Sequence, residues 1–141
     1  MISEKRSRNI YSDLLSPLSL GKIQCKNVHF TGIFGTGMSA LAQYLRFQGI
    51  VVSGSDRLLN SEDTASIRKS LEELGCKIIN QDGSGVSAET DLVCISTAIE
   101  QSNPDIAAAH SRGIPIVHRS DLLASIIAEK RTIAVAGTSG K

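Results

Sequence analysis

The chain has 141 residues, a net charge of +1, 41% hydrophobic residues and 21% charged residues. This length suits one ordinary globular domain, and the near-neutral charge excludes a general attraction to nucleic acid or to an anionic membrane. No apolar run approaches the roughly 20 residues of a membrane span, and the polar start MISEKRSRNIYSD lacks the apolar centre of a signal peptide, so we expect a cytoplasmic protein with no nucleic-acid or membrane partner.

The first regular pattern begins at residue 28. Residues 1–27 show no clear period, and we expect them to form a lead-in that is partly disordered or packed across the domain surface. Residues 28–33 alternate and predict a strand. Residues 38–48 predict a helix with Leu41, Ala42 and Leu45 facing inward, and a glycine at position 49 suits its C-terminal cap.

Strands and helices alternate along the rest of the chain. We predict strands at 50–53, 76–79, 91–96, 114–117 and 132–136, and helices at 64–74, 104–111 and 120–129. Gly75 ends the second helix, Pro104 starts the third, and Ser120 or Asp121 caps the fourth. No two strands are joined by a tight hairpin, so the sequence predicts a doubly wound α/β fold, a mainly parallel sheet with helices on both faces.

The cysteines do not form a metal-binding pattern. Cys25, Cys76 and Cys94 share no CxxC spacing, and Cys94 lies in the apolar run DLVCIS. Metal sites need closer clusters of ligands. We therefore interpret all three cysteines as structural residues and expect no metal site.

The stretch GIFGTGMS connects the first strand to the first helix. Its glycines Gly32, Gly35 and Gly37 are spaced three and then two, whereas the dinucleotide fingerprint is spaced two and then three. Gly35 and Gly37 still remove Cβ atoms where backbone must approach a ligand, and the helix N-terminus offers N–H groups and partial positive charge to a phosphate. Thr36 and Ser39 could add hydroxyl donors. The alternative is that the glycines only permit a tight turn.

Polar side chains follow the other predicted strands, at the carboxyl edge where open α/β sheets bind ligands. Asp56, with Ser55 beside it, stands near the place of the ribose-binding acid in a dinucleotide site, although SGSD is also good turn chemistry. Four further side chains reach the same edge: Ser96, Thr97, His118 and Arg119. Arg119 could pair with a carboxylate or a phosphate, or remain a solvated side chain beside a helix cap.

The sequence ends in AVAGTSGK, a predicted strand followed by a glycine-rich loop. The Walker A pattern GxxxxGK[ST] is not met, because Val135 stands at its first glycine position. A strand leading into GTSGK still builds a nest of N–H groups, with a lysine to reach the outer phosphates of a nucleotide. We interpret residues 132–141 as the start of a further domain, cut at its phosphate loop; the alternative is a flexible basic tail.

Taken together, GIFGTGMSALA, SGSD, STAI followed by NP, IPIVHRSDLLA and AVAGTSGK resemble the N-terminal region of Mur ligases, over about residues 27 to 141. Mur ligases have a Rossmann-like domain for a UDP-sugar, a central ATPase and a C-terminal domain for the incoming amino acid. The resemblance implies a Rossmann-like UDP-sugar-binding domain at 28–131 and the start of the ATPase at 132–141. It implies a full-length enzyme of peptidoglycan synthesis that joins L-alanine to UDP-N-acetylmuramate through an acyl phosphate, using ATP and Mg²⁺, with no catalytic residue in this fragment.

The resemblance also implies roles for individual residues. The UDP-sugar positions are Gly35, Thr36, Gly37, Met38 and Ser39 at the diphosphate, Ser55 and Asp56 at the uridine, Ser96 and Thr97 along the pocket, and His118 and Arg119 near the sugar and its lactyl group. The ATP-phosphate positions are Gly137, Thr138, Ser139, Gly140 and Lys141.

Three alternatives stay open. Phe34 and Thr36 are bulkier than the residues of the GIGGAGM turn that many family members carry, and Ser139 stands where many have His. A recycling ligase, which attaches a ready-made peptide to the same UDP-sugar, is therefore the second candidate within the family. From other classes, an NAD-binding oxidoreductase domain would need the other glycine spacing and gives no reason for GTSGK. A non-catalytic nucleotide sensor is the third alternative. The sequence does not indicate the oligomeric state.

Overall fold

The computed structural model describes residues 25–128 and 130–140 of the chain. The elements, in chain order, are β1 (Asn27–Thr31), α1 (Thr36–Phe47), β2 (Val51–Ser55), a 3-10 turn (Glu62–Thr64), α2 (Ala65–Glu73), β3 (Lys77–Ile79), β4 (Leu92–Ile95), α3 (Pro104–Arg112), β5 (Ile116–His118) and α4 (Arg119–Ile127). The strands form one parallel sheet in the order β3-β2-β1-β4-β5. The predicted doubly wound α/β class is confirmed, whereas the predicted lead-in lies outside the described residues up to residue 24.

The core lies on both faces of the sheet, because successive strand residues point to opposite faces. On one face, Val28 and Phe30 of β1 pack with apolar residues of α1, α2 and α4. On the other face, Val93 and Ile95 of β4 pack with apolar residues of α3, including Ile106. Each fully buried large side chain contributes about 1.5–3 kcal/mol of hydrophobic stabilisation. Helices therefore cover both faces, as the sequence predicts.

Helix ends follow the sequence signals with one exception. Gly49 and Gly75, which follow α1 and α2, have φ angles of +83° and +88°, in the left-handed region that favours glycine. Asn103 caps α3, and its side chain accepts the N–H of Asp105. The prediction that Ser120 or Asp121 caps α4 is wrong: the helix begins one residue earlier than Ser120, and its N-cap is His118. The imidazole can act as an N-cap acceptor because its Nδ1 lies 3.2 Å from the Ser120 N–H nitrogen.

The predicted strand at 132–136 does not form. Ile133 and Val135 are 93% and 72% exposed, and the segment has no regular structure. A strand obtains its hydrogen bonds from a neighbouring strand. Among the described residues, β5 at the edge of the sheet pairs with β4 alone, so this apolar segment has no strand beside it.

The cysteines have the structural character that the sequence indicates. Cys76 and Cys94 are buried, Cys25 is half-buried, and all three are free thiols. Burial raises the pKa of Cys94 far above its ordinary value, so this thiol stays protonated. In residues 25–128 and 130–140, no helix is both long and apolar enough to span a membrane.

Candidate functional site

A cavity of about 480 Å³ opens at the carboxyl edge of the sheet. Its walls come from the loops after β1, β2, β3 and β4, which contribute, among others, Gly35, Asp56, Gln81, Ser96 and Asn103. The chain runs outward from β1 in one direction to β2 and β3 and in the other to β4 and β5. The cavity thus lies at the topological switch point, where open parallel sheets bind their ligands.

The glycine turn leaves donors beside this cavity. Gly35 is the N-cap of α1 and provides no side-chain acceptor. Among the described residues, none accepts a hydrogen bond from the backbone N–H of Thr36, Gly37 or Met38. Unpaired N–H groups at the positive end of a helix dipole form an anion-binding arrangement. This geometry is the one that phosphate binding by GIFGTGMS requires.

Arg119 lies against the same turn. A Cβ atom built on Gly37 would lie 2.6 Å from Arg119 Nη1 and 3.2 Å from its Cζ. The absence of a side chain at residue 37 therefore provides the space that the guanidinium occupies. The first residue of α4 thus adds a positive charge next to the N–H groups of α1, as expected if β5 ends at the same edge as β1.

Asp56 accepts a hydrogen bond from the glycine turn and also lines the cavity. Its side chain is only 8% exposed. Oδ2 accepts the N–H of Phe34 at 3.0 Å, and Oδ1 accepts the N–H of Leu58 at 2.9 Å. The carboxylate therefore joins the loop after β1 to the loop after β2. Each oxygen has a further lone pair, so contact with a uridine stays a prediction.

Several predicted positions differ from what the sequence suggests. The side chain of Met38 is buried in the core, which leaves its backbone N–H for the predicted backbone contact. The Ser39 hydroxyl donates to the Thr36 carbonyl at 3.2 Å and its N–H donates to the Gly35 carbonyl at 2.8 Å, so Ser39 is already engaged within the turn. The Ser55 side chain is completely buried and does not face the cavity. Thr97, although exposed, also lies outside the cavity wall.

His118 and the terminal loop complete the predicted positions. His118 caps α4 and contacts the Ser120 hydroxyl at 2.7 Å through Nδ1, outside the cavity wall. Residues 137–140 are exposed, and Gly140 has a φ of +70°. Lys141 lies outside the described residues.

A buried polar cluster beneath the cavity went unpredicted. Asp105 Oδ2 accepts hydrogen bonds from Ser55 Oγ at 2.5 Å, Thr31 Oγ1 at 3.0 Å and His29 Nε2 at 3.1 Å, and Oδ1 accepts the Gly83 N–H at 2.9 Å. Desolvation of this buried carboxylate opposes ionisation, but the hydrogen bonds from His29, Ser55 and Thr31 and the attraction of His29 outweigh it and lower the pKa of Asp105. Asp105 is therefore ionised at neutral pH.

The sequence did hold a signal for this cluster. His29 and Thr31 alternate with Val28 and Phe30, so one face of β1 is polar and buried. Residues 80–91, which connect β3 to β4 by turns rather than a helix, cover that face. A Cβ on Gly85 would lie 2.5 Å from His29 Cε1, which shows how closely this loop approaches the sheet.

The comparison with known families decides the membership of the chain. A sequence profile described as "Mur ligase family, catalytic domain" matches residues 27–131. The chain belongs to the Mur ligase family. The resemblance in the glycine turn, SGSD and IPIVHRSDLLA segments is thereby confirmed, and an NAD-dependent oxidoreductase is set aside.

This Mur ligase chain is similar to curated proteins named UDP-N-acetylmuramate--L-alanine ligase. It is 43% identical over 126 residues to that of Dinoroseobacter shibae, covering 89% of this chain and 25% of the relative. It is 44% identical over 121 residues to that of a Geobacter species, covering 86% and 25%. The chain thus spans about a quarter of the length of these relatives.

Solved structures of Mur ligases have the same fold. The UDP-N-acetylmuramate-alanine ligase of Thermotoga maritima is 35% identical with a TM-score of 0.52, covering 69% of this chain and 21% of that one. The UDP-N-acetylmuramate:L-alanyl-gamma-D-glutamyl-meso-diaminopimelate ligase of Neisseria meningitides is 25% identical with a TM-score of 0.60, covering 70% and 30%.

Proposed function

We propose that this Mur ligase chain binds UDP-N-acetylmuramate for an ATP-dependent ligase that joins L-alanine to the sugar's carboxylate. The names of the curated relatives support this substrate. The structural neighbour that acts on a peptide carries UDP-N-acetylmuramate in its name too. The nucleotide sugar is therefore common to both candidate reactions, and they differ only in the acceptor.

The observation that carries the proposal is the position of the cavity beside the open N–H groups of α1. A diphosphate fits there, since the N–H groups of Thr36, Gly37 and Met38 can donate to its oxygens and Arg119 adds a charge-assisted contact. The uridine would then extend toward β2 and β3, past Asp56, and the sugar toward the ends of β4 and β5.

The chain's contribution to the reaction is to bind and orient the sugar nucleotide. ATP with Mg²⁺, when bound to the full-length enzyme, supplies the phosphoryl group that activates the muramyl carboxylate as an acyl phosphate. The residues of GTSGK suit phosphate contact, because Thr138 and Ser139 carry hydroxyl donors and Gly140 adopts the left-handed conformation of an N–H nest. A cytoplasmic location belongs to the same proposal.

The acceptor favoured is L-alanine. Identity to the Thermotoga alanine ligase is 35%, against 25% to the Neisseria peptide ligase, although the TM-score is higher for the latter. Identity distinguishes the two neighbours, because both share the fold. Activity of the full-length enzyme with L-alanine but not with the peptide would support this choice, and the reverse would replace it.

Calorimetric titration of the 141-residue chain tests substrate binding. We expect saturable heat with UDP-N-acetylmuramate, none with NADH, and no ATP hydrolysis. Gly37→Val should abolish the binding heat while circular dichroism stays unchanged, because its side chain would take the space of the Arg119 guanidinium and crowd the turn that binds the diphosphate. Saturable binding of NADH without binding of the UDP-sugar would overturn the proposal.

A further inference from the structure

Gln81 is a side chain on the cavity wall, and a buried hydroxyl fixes its orientation. It is the second residue after β3 and is half-buried. Its Nε2 lies 3.4 Å from Ser55 Oγ. Among the described residues, none donates a hydrogen bond to its Oε1.

The direction of this hydrogen bond is set by Asp105. An ionised carboxylate can only accept hydrogen bonds, so the single hydroxyl proton of Ser55 points to Asp105 Oδ2, at 2.5 Å. The Ser55 oxygen can then only accept from its other neighbour, Gln81. The amide NH₂ of Gln81 must therefore face Ser55, and the carbonyl oxygen Oε1 is the end left for a ligand.

We propose that Gln81 is a specificity-determining residue that recognises the nucleotide base by accepting a hydrogen bond from uracil N3–H through Oε1. Asp105 and Ser55 are positioning residues, because they act on the base only through the orientation of Gln81. This inference rests on the proposed function, in which a UDP-sugar occupies the cavity.

The distance across the sheet agrees with this assignment. β3 lies two strands from β1, and adjacent strands are about 4.8 Å apart, so Gln81 lies about 10 Å from the diphosphate position along the edge. A ribose and a pyrimidine ring bridge a gap of this order. Asp56 lies between the two ends, after β2, where a ribose would pass.

The orientation of Gln81 makes a chemical prediction about the base. Uracil presents a donor at N3, which pairs with Oε1. Cytosine presents a lone pair at N3, which Oε1 repels, and methylation of uracil N3 removes the donor and adds bulk. A site with a fixed acceptor discriminates against both, because a buried polar group is left without its partner.

The test measures dissociation constants of UDP, CDP and N3-methyl-UDP for the 141-residue chain by calorimetry. We expect UDP to bind at least about tenfold more tightly than the other two. Gln81→Met should remove this preference. Gln101→Met, at an exposed position outside the cavity wall, is the matched control and should retain it.

A second variant tests whether Asp105 orients Gln81 through the Ser55 hydroxyl. In Asp105→Asn the new amide N–H can donate to Ser55, which frees the hydroxyl proton for Gln81 and turns the Gln81 NH₂ toward the base. The UDP-to-CDP preference should then fall about tenfold or more. If this variant does not fold, Ser55→Ala takes its place and should lose the preference as well.

The outcomes separate this inference from the proposed function. If the wild-type chain binds neither UDP nor UDP-N-acetylmuramate, the proposed function fails and the inference falls with it. If the chain binds UDP-N-acetylmuramate but Gln81→Met keeps the wild-type preference among the three nucleotides, the inference alone is overturned.

Discussion

The backbone N–H of Phe34 donates to Asp56 Oδ2 over 3.0 Å, and this bond ties the glycine turn to the end of β2. The other carboxylate oxygen, Oδ1, accepts the backbone N–H of Leu58. Asp56 thus shapes two walls of the cavity at once. Its role in the fold and its expected role toward a ligand have to be measured separately.

Asp56→Ala should lower both stability and ligand affinity. It leaves two backbone N–H groups without acceptors, which costs about 1–3 kcal/mol in the free energy of unfolding. Urea unfolding measures this cost, and calorimetry with UDP-N-acetylmuramate measures the loss of affinity, expected at about 1–3 kcal/mol. Glu89→Ala, an exposed carboxylate outside the cavity wall, serves as the control. Unchanged affinity would remove Asp56 from the ligand site.

Arg119→Ala should weaken binding of the UDP-sugar by about 1.5–3 kcal/mol, the range for a hydrogen bond to a charged group. The loss should shrink as salt is added, because the guanidinium is exposed. Arg112→Ala, at the exposed end of α3, is the matched control. Affinity that does not respond to Arg119→Ala at low salt would contradict contact with the diphosphate.

Gly37→Ala should separate ligand binding from folding. The new methyl group would displace the Arg119 guanidinium, whose nearest atom would be 2.6 Å away. Residue 37 is helical, and alanine is the better helix former by up to about 1 kcal/mol, so the free energy of unfolding should not fall. Binding of UDP-N-acetylmuramate should weaken. A lower unfolding free energy together with full affinity would refute this view of the turn.

Acid should destabilise the domain through Asp105. The pKa of Asp105 is lower in the folded chain than its ordinary value of 3.8, so the unfolded chain takes up the proton first as pH falls. The stability from this carboxylate is complete above the ordinary pKa and is lost as pH drops through the folded value. Urea unfolding between pH 7 and pH 2 should show this loss. It should be smaller in Asp105→Asn and unchanged in Glu89→Gln, which alters an exposed carboxylate. Equal acid sensitivity in all three chains would contradict the assignment.

Gly54→Ala should destabilise the sheet without touching the cavity wall. A Cβ there would lie 2.4 Å from Ile33 Cδ1 and 2.7 Å from Ile33 Cβ, and overpacking of this kind costs about 1–3 kcal/mol. Ile33→Val removes the nearer atom. In a double-mutant cycle by urea unfolding, the combined cost should be less than the sum of the single costs. Strict additivity would show that Ile33 does not cause the strain.

The sequence predicted the fold well, because the apolar alternation of β1 and the period of α1 are local signals. Gly49, Gly75 and Pro104 marked helix ends for equally local reasons. The strand prediction at 132–136 was wrong because strand formation there depends on a non-local contact. The apolar residues of this segment have the strand pattern, but a strand also needs a neighbour, and the sequence of a segment does not show whether one is there.

The site was predicted in part. The glycine turn, Asp56 and Arg119 do meet at one edge, because parallel strands bring their carboxyl ends together. The family resemblance assigned Ser55 to the uridine together with Asp56. Adjacent residues of a strand face opposite ways, however, and the Ser55 hydroxyl instead donates to Asp105, far away in the sequence. Gly54 similarly looked like turn chemistry and turned out to make room for Ile33.

The two faces of the sheet are covered differently, because the connection from β3 to β4 is a loop rather than a helix. Gly85 of this loop lies directly against His29, because a Cβ there would lie 2.5 Å from the imidazole Cε1. On that side the irregular chain reaches the buried carboxylate of Asp105, whose Oδ1 accepts the Gly83 N–H at 2.9 Å. A nucleotide bound in the adjoining cavity would contact the start of this loop at Gln81, and its binding free energy would add to the stability of the folded chain.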